Sequence, residues 1–135
     1  MQHLPLVVEI PNPPSASQAF EVFKDKPFSF FLDSGMDPQR LGQYSFMGSN
    51  PFLIMKSRGR DITLIHPNGE KFVSGNPFDM LGDILQEYKL NDNPTALPFV
   101  GGAVGYLSYD LGHFIEKLPS KAVDDLQLPE CYLGF

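Results

Sequence analysis

The sequence is cut into short apolar runs by turn-forming peptides, and this punctuation limits the fold more than any other feature. Tyr44 to Met47 and Phe52 to Lys56 read as strands on either side of Gly48-Ser49-Asn50-Pro51, four residues that favour a turn. Asp61 to Ile65 and Lys71 to Val73 flank His66-Pro67-Asn68-Gly69-Glu70, whose Asn-Gly pair tolerates the positive φ of a hairpin. Short runs joined this closely pair antiparallel. Upstream, Leu4 to Ile10 reads as a strand ended by Pro11-Asn12-Pro13-Pro14, because proline lacks the donor that a ladder needs. Phe28 to Leu32 is an aromatic run with the pattern of a buried strand, breaking into a polar loop at Asp33-Ser34-Gly35.

Helices are few and have clear starts. Ser15 with Gln18 three residues later has capping-box spacing, and Ala19, Phe20, Val22 and Phe23 give a short apolar face up to Lys24. Asn76 followed by Pro77 opens a second helix, with Phe78, Leu81, Ile84, Leu85 and Tyr88 on one face. Leu97 to Asp110 reads as an apolar strand whose glycines permit bending or close approach, and a short helix from Leu111 to Lys117 follows. The run Pro129 to Phe135 is strand-like and apolar to its last residue. Because an unpaired strand leaves its polar backbone exposed, further sheet is expected beyond Phe135, and the chain by itself is expected to self-associate.

Composition excludes several classes of function. At 135 residues the chain has room for one domain with a core, and 42% hydrophobic residues place it among globular proteins. A net charge of −6, with ten scattered Lys and Arg, offers no basic stripe to displace counterions from nucleic acid. Cys131 has no partner for an internal disulfide, and proline blocks the glycosylation sequons at Asn50 and Asn93; both fit a reducing cytoplasm. The first residues lack the basic and apolar regions of a secretory signal, and the longest apolar run is too short to span a bilayer.

Chemical motifs are sparse. Gly101-Gly102-Ala103-Val104-Gly105 fits neither the dinucleotide fingerprint nor a phosphate loop, so nucleotide binding is disfavoured. His3, His66 and His113 lack the company of a zinc site, and Ser45 lacks the flanking glycines of a nucleophile elbow. Cys131, inside an apolar run, reads as a small buried hydrophobe. The loop Asp33-Ser34-Gly35-Met36-Asp37 has a hydroxyl and two carboxylates able to hold an amine or amide, although the same residues are common turn formers.

Taken in order, Phe31-Leu32-Asp33-Ser34-Gly35, then Leu41 through Phe52, then Pro98 through Pro119, resemble the amino-terminal region of the chorismate-utilising large subunits of aminodeoxychorismate synthase and anthranilate synthase. Tyr109-Asp110-Leu111-Gly112, with Glu116, Leu118-Pro119, Asp124-Asp125 and Leu128-Pro129, looks more like the aminodeoxychorismate branch. The family's usual arginines are replaced by Gln43 before Tyr44 and by His113 after Gly112, which removes bidentate pairing at both points. The resemblance implies an α+β fold, the amino-terminal part of an antiparallel two-sheet β-sandwich with flanking helices. It implies chorismate as substrate, ammonia from a glutamine amidotransferase subunit, Mg2+ in the full-length enzyme, and 4-amino-4-deoxychorismate for folate synthesis as product. It places the catalytic and metal-binding residues in the carboxy-terminal portion, leaving this chain inactive alone and without a cofactor. What it assigns here is part of a tryptophan effector pocket: Ser34, Leu41, Gly42, Gln43 and Tyr44. The competing readings are the feedback domain of anthranilate synthase component I and a stand-alone effector-binding module.

Overall fold

The structure, a computed structural model, describes residues 5–35, 39, 42–90 and 95–135. The chain divides into two compact units, one of Leu6–Pro51 and one built mainly of Phe52–Phe135.

In the first unit, α1 (Ala16–Phe20) starts where the capping box requires. Ser15 Oγ accepts from the Gln18 amide, and the Ser15 amide donates back to Gln18 Oε1 at 3.2 Å. The expected helix up to Lys24 is shorter, because beyond Phe20 the chain tightens into turns such as the Phe23 amide bonding to the Phe20 carbonyl at 2.8 Å. The strand expected from Phe28 begins two residues later, as β1 (Phe30–Leu32), because Phe28 sits at a φ of 53°, outside the extended region. It pairs antiparallel with β2 (Phe46–Gly48), with Phe30 opposite Gly48 and Leu32 opposite Phe46. The Phe31 ring stacks on Phe20 of α1 with centroids 5.0 Å apart. A Cβ on Gly48 would meet Phe30 Cε1 at 2.7 Å, so glycine gives the Phe30 ring its room.

The described part of the expected strand from Leu4 to Ile10 forms none. Leu6 is 92% exposed and Ile10 71%, and no described strand pairs with them. An apolar extended run gains little unless its backbone groups find a ladder.

The second unit holds five antiparallel strands: β3 (Ile54–Arg58), β4 (Asp61–His66), β5 (Gly69–Ser74), β6 (Val104–Leu107) and β7 (Cys131–Gly134). Their order across the sheet is β5-β4-β3-β7-β6. The meander β3-β4-β5 is the one its turns announce, although the positive φ of the β4–β5 turn, 144°, falls on Gly69 and not on Asn68. β7, the last strand in sequence, lies between β3 and β6, with Ser57 opposite Cys131 on one side and Leu107 opposite Cys131 on the other. Both edges of the final apolar run are therefore paired.

Alternation puts Met55 and Ser57 of β3, Ile62 and Leu64 of β4, and Cys131 and Leu133 of β7 on one buried face. α2 (Pro77–Glu87) packs Ile84, Phe78 and Leu81 against this core, its first turn capped by Asn76 Oδ1 accepting from the Phe78 amide at 2.9 Å. Leu85, expected on the same face, is 43% exposed. The long strand expected from Leu97 to Asp110 reduces to β6. The helix after it is a 3-10 helix over Tyr109–Phe114 that buries Leu111. Gly105 explains how β6 lies so close to β7: a Cβ there would stand 1.9 Å from the Tyr132 carbonyl oxygen.

Candidate functional site

The residues that the sequence singles out for effector binding gather at one end of the β1–β2 pair. Each antiparallel step moves one residue forward on β1 and one back on β2, so beyond Leu32 opposite Phe46 the limbs carry Asp33 and Ser45. Ser45 Oγ donates to Asp33 Oδ1 at 2.7 Å, a charge-assisted bond that holds the limbs together where the ladder stops. One step further stand Ser34, half-buried, and Tyr44, 41% exposed, whose ring stacks on Phe46 with centroids 6.2 Å apart. Gly42 is half-buried and Gln43 exposed, with Gln43 Nε2 donating to the Gln39 carbonyl at 3.3 Å. Leu41, Met36 and Asp37 lie outside the described residues.

This arrangement offers a hydroxyl at Ser34, an aromatic face at Tyr44, an amide at Gln43 and glycine backbone at Gly42. Such groups can orient a small zwitterion, the hydroxyl and carbonyls facing its ammonium and the ring facing its side chain. The carboxylate drawn into the ladder end, Asp33, accepts from Ser45 through Oδ1. Sequence reasoning missed Ser45 as the residue that ties the two limbs. The available signal was that the runs at Phe28 and Tyr44 both read as strands, which makes their loops neighbours once they pair.

The remaining motifs settle into structural roles. Gly101 and Gly102 precede a strand and line an apolar cavity of about 480 Å3 with Phe52, Leu85, Tyr88 and Phe135. They start no helix, so they present no ring of amides to a phosphate. A more polar cavity of about 470 Å3 includes Asp110, His113, Asp124, Asp125 and Glu130, but two of its carboxylates are spoken for. Asp124 Oδ2 takes Arg58 Nη2 at 2.7 Å, and Glu130 Oε2 accepts from the Gly59 amide at 3.0 Å.

Cys131 is buried, 1% exposed, and burial pushes its thiol up to about 11. Desolvation is the larger cause and sets the direction, with the neighbouring Ser57 hydroxyl, itself buried without a formed hydrogen bond, acting the other way. Among the described residues no three His, Cys, Asp or Glu side chains converge to hold a metal ion, and no helix is long and apolar enough to cross a membrane.

No protein-family model matches the chain. It is 36% identical to anthranilate synthase component 1 of Acetivibrio thermocellus over 117 residues, covering 86% of this chain and 24% of that protein. Against anthranilate synthase component 1 of Bacillus subtilis it is 32% identical over 81% of the chain and 21% of the relative. The aminodeoxychorismate synthase component 1 of Klebsiella aerogenes matches at 27% over 132 residues, covering 96% of this chain and 29% of that protein. The chain is a homologue of these component 1 synthases. It spans about a quarter of the length of the component 1 relatives it matches. These component 1 relatives come from both branches, and the α+β fold with two antiparallel sheets agrees with the architecture expected of the superfamily.

Proposed function

We propose that this chain is the effector and scaffold part of a chorismate-utilising component 1 enzyme, of the aminodeoxychorismate kind, with the chemistry carried by residues outside it. In that reading the whole enzyme exchanges a chorismate hydroxyl for ammonia supplied by a glutamine amidotransferase subunit, giving 4-amino-4-deoxychorismate for folate synthesis. Mg2+, bound by the portion outside this chain, would neutralise the substrate carboxylates and assist the leaving group. The observation that carries the effector role is the meeting of the Ser34 and Tyr44 limbs at the Ser45–Asp33 clasp. The aminodeoxychorismate branch is favoured by a match running over 96% of the chain and by the Tyr109-Asp110-Leu111-Gly112 run.

Anthranilate synthesis is the second reading, and the 36% identity to an anthranilate synthase favours it. There tryptophan in the same pocket acts as feedback inhibitor, which requires different contacts in two global states. Incubating the full-length protein that carries this chain with chorismate and ammonium separates the two. Aminodeoxychorismate is the expected product, and anthranilate as sole product overturns the choice.

The effector role has its own test. The chain contains no tryptophan, so added L-tryptophan is the only indole in the sample and its fluorescence anisotropy reports binding directly. Weak binding that Ser34→Ala reduces further is expected for the chain alone. Binding unaffected by Ser34→Ala and by Tyr44→Ala removes the assignment.

A further inference from the structure

Six asparagines stand in the chain, at positions 12, 50, 68, 76, 91 and 93. An asparagine rearranges its own backbone when the amide nitrogen of the next residue attacks its side-chain carbonyl, so the next residue decides which of them can react. Pro13, Pro51, Pro77 and Pro94 follow four of the six, and a proline nitrogen has no hydrogen to give up. Asn91 is followed by Asp92, whose side chain crowds the attacking nitrogen and whose charge opposes its deprotonation; both lie outside the described residues. Asn68 alone precedes a glycine.

The structure sets that pair at the tip of the β4–β5 hairpin, where His66 stands opposite Gly69. Asn68 and Gly69 are both exposed, and a Cβ on Gly69 would meet nothing within 4 Å, so the way to its nitrogen is open. Among the described residues nothing holds the Asn68 side chain, whereas Asn76 Oδ1 is committed to the Phe78 amide.

We propose that Asn68-Gly69 is a modification site, at which the folded chain converts asparagine to isoaspartate through a cyclic imide. The Gly69 nitrogen forms a bond to Asn68 Cγ, the Cγ–Nδ2 bond breaks, and the proton displaced from Gly69 leaves with Nδ2 as ammonia. Water then opens the ring. Breaking the new bond to Cγ gives aspartate. Breaking the bond from the Gly69 nitrogen to the main-chain carbonyl carbon gives isoaspartate, whose backbone runs through Cγ and is one carbon longer. The pairing of His66 with Gly69 restrains the nitrogen, so the reaction draws on openings at the ladder end and runs more slowly than in an unfolded chain. Loop length sets the register of a hairpin, so the added carbon disturbs the β4–β5 pairing, and a new carboxylate arises beside Glu70. Among the described strands β5 joins the sheet through β4 alone and buries little of itself, so the core is spared.

The test incubates the 135-residue chain in warm neutral buffer made with heavy-oxygen water, then digests it with trypsin in ordinary water, which releases residues 61–71 as one peptide. Heavy oxygen should enter that peptide at residue 68, with isoaspartate in excess of aspartate, while the peptides carrying Asn12, Asn50 and Asn76 stay unlabelled. Conversion should be several-fold faster in urea, and Asn68→Ser should abolish it. In the aged chain the β5 amides should exchange faster, with those of β3 and β7 unchanged. Freshly prepared Asn68→Asp, which has the charge without the extra carbon, should exchange like the unmodified chain. An Asn68 that stays intact in the folded chain while the urea-treated chain reacts to completion overturns the site. Equal labelling at an asparagine before proline overturns it too, as does aspartate formed without isoaspartate. Unchanged β5 exchange in the aged chain overturns the disturbed register. None of these readouts depends on the chorismate reading, which the product assay decides separately.

Discussion

The two units of the chain are held together by different means. In the larger one, Leu53, Met55, Ile62, Leu64, Ile84, Leu111, Cys131 and Leu133 form a continuous buried core under the five-stranded sheet. In the smaller, Leu6–Pro51, no described residue is fully buried; a capping box, the stacked pairs Phe20–Phe31 and Tyr44–Phe46, the Ser45–Asp33 bond and a three-residue ladder contribute to the holding. Burial of apolar area is the main source of stability, so the larger unit resists local opening and the smaller yields to it. The residues proposed for effector binding lie on the yielding unit, where ordering around a ligand has the most to gain.

The largest effect expected from this contrast is at Gly105. Gly105→Ala forces β6 away from the Tyr132 carbonyl and should cost about 4 kcal/mol or more in urea denaturation; a smaller loss would mean the strands part easily. Met55→Ala empties a fully buried site and should cost about 3 kcal/mol in the same measurement.

Next comes pH. The Cys131 thiol ionises near 11 in the fold and near 9 when unfolded, so the unfolded chain loses its proton first. The stability contributed by the neutral buried thiol is complete below pH 9, declines as pH rises, and is gone above 11. The loss is on the order of 2 kcal/mol and should vanish in Cys131→Ala, read as the difference in melting temperature between neutral and alkaline buffer.

The smallest effects belong to the smaller unit. Ser15→Ala removes the cap of α1 at a local cost of about 1 kcal/mol, visible as faster exchange of the α1 amides with the global urea midpoint unmoved. Ser45→Ala opens the clasp on Asp33 and should cost about 0.5–1 kcal/mol, seen as faster exchange across β1 and β2. If either substitution shifts the global midpoint as Met55→Ala does, the two units unfold as one and the contrast fails.

How much of this was legible in the residues follows from the range of each interaction. The caps at Ser15 and Asn76 and the β4–β5 hairpin are local, and the structure places them where their spacing says. The run from Leu4 to Ile10 misled because its apolar pattern says nothing about whether a partner strand exists within reach. The strand expected over Leu97 to Asp110 is cut to β6, and its glycines serve the two uses expected of them: Gly105 allows a close approach to β7, and Gly102, with a φ of 140°, bends the chain before β6 begins. The same holds for the site. Ser34, Gly42, Gln43 and Tyr44 could be named singly through resemblance, yet their shared end of the ladder depends on a register between distant segments.

The central place of β7 has a consequence for how the chain is made. During synthesis the ribosome releases β3, β4 and β5 first, and they can fold as a meander with nothing beside β3. The stretch that becomes β6 emerges next and has no seat, because β7, its neighbour in the sheet among the described residues, is still to be translated. Only when Cys131–Gly134 arrives and slots in are both half-built edges sealed at once. Closure of this sheet therefore waits until β7 has left the ribosome, and until then the nascent chain carries uncovered strands that a chaperone would see.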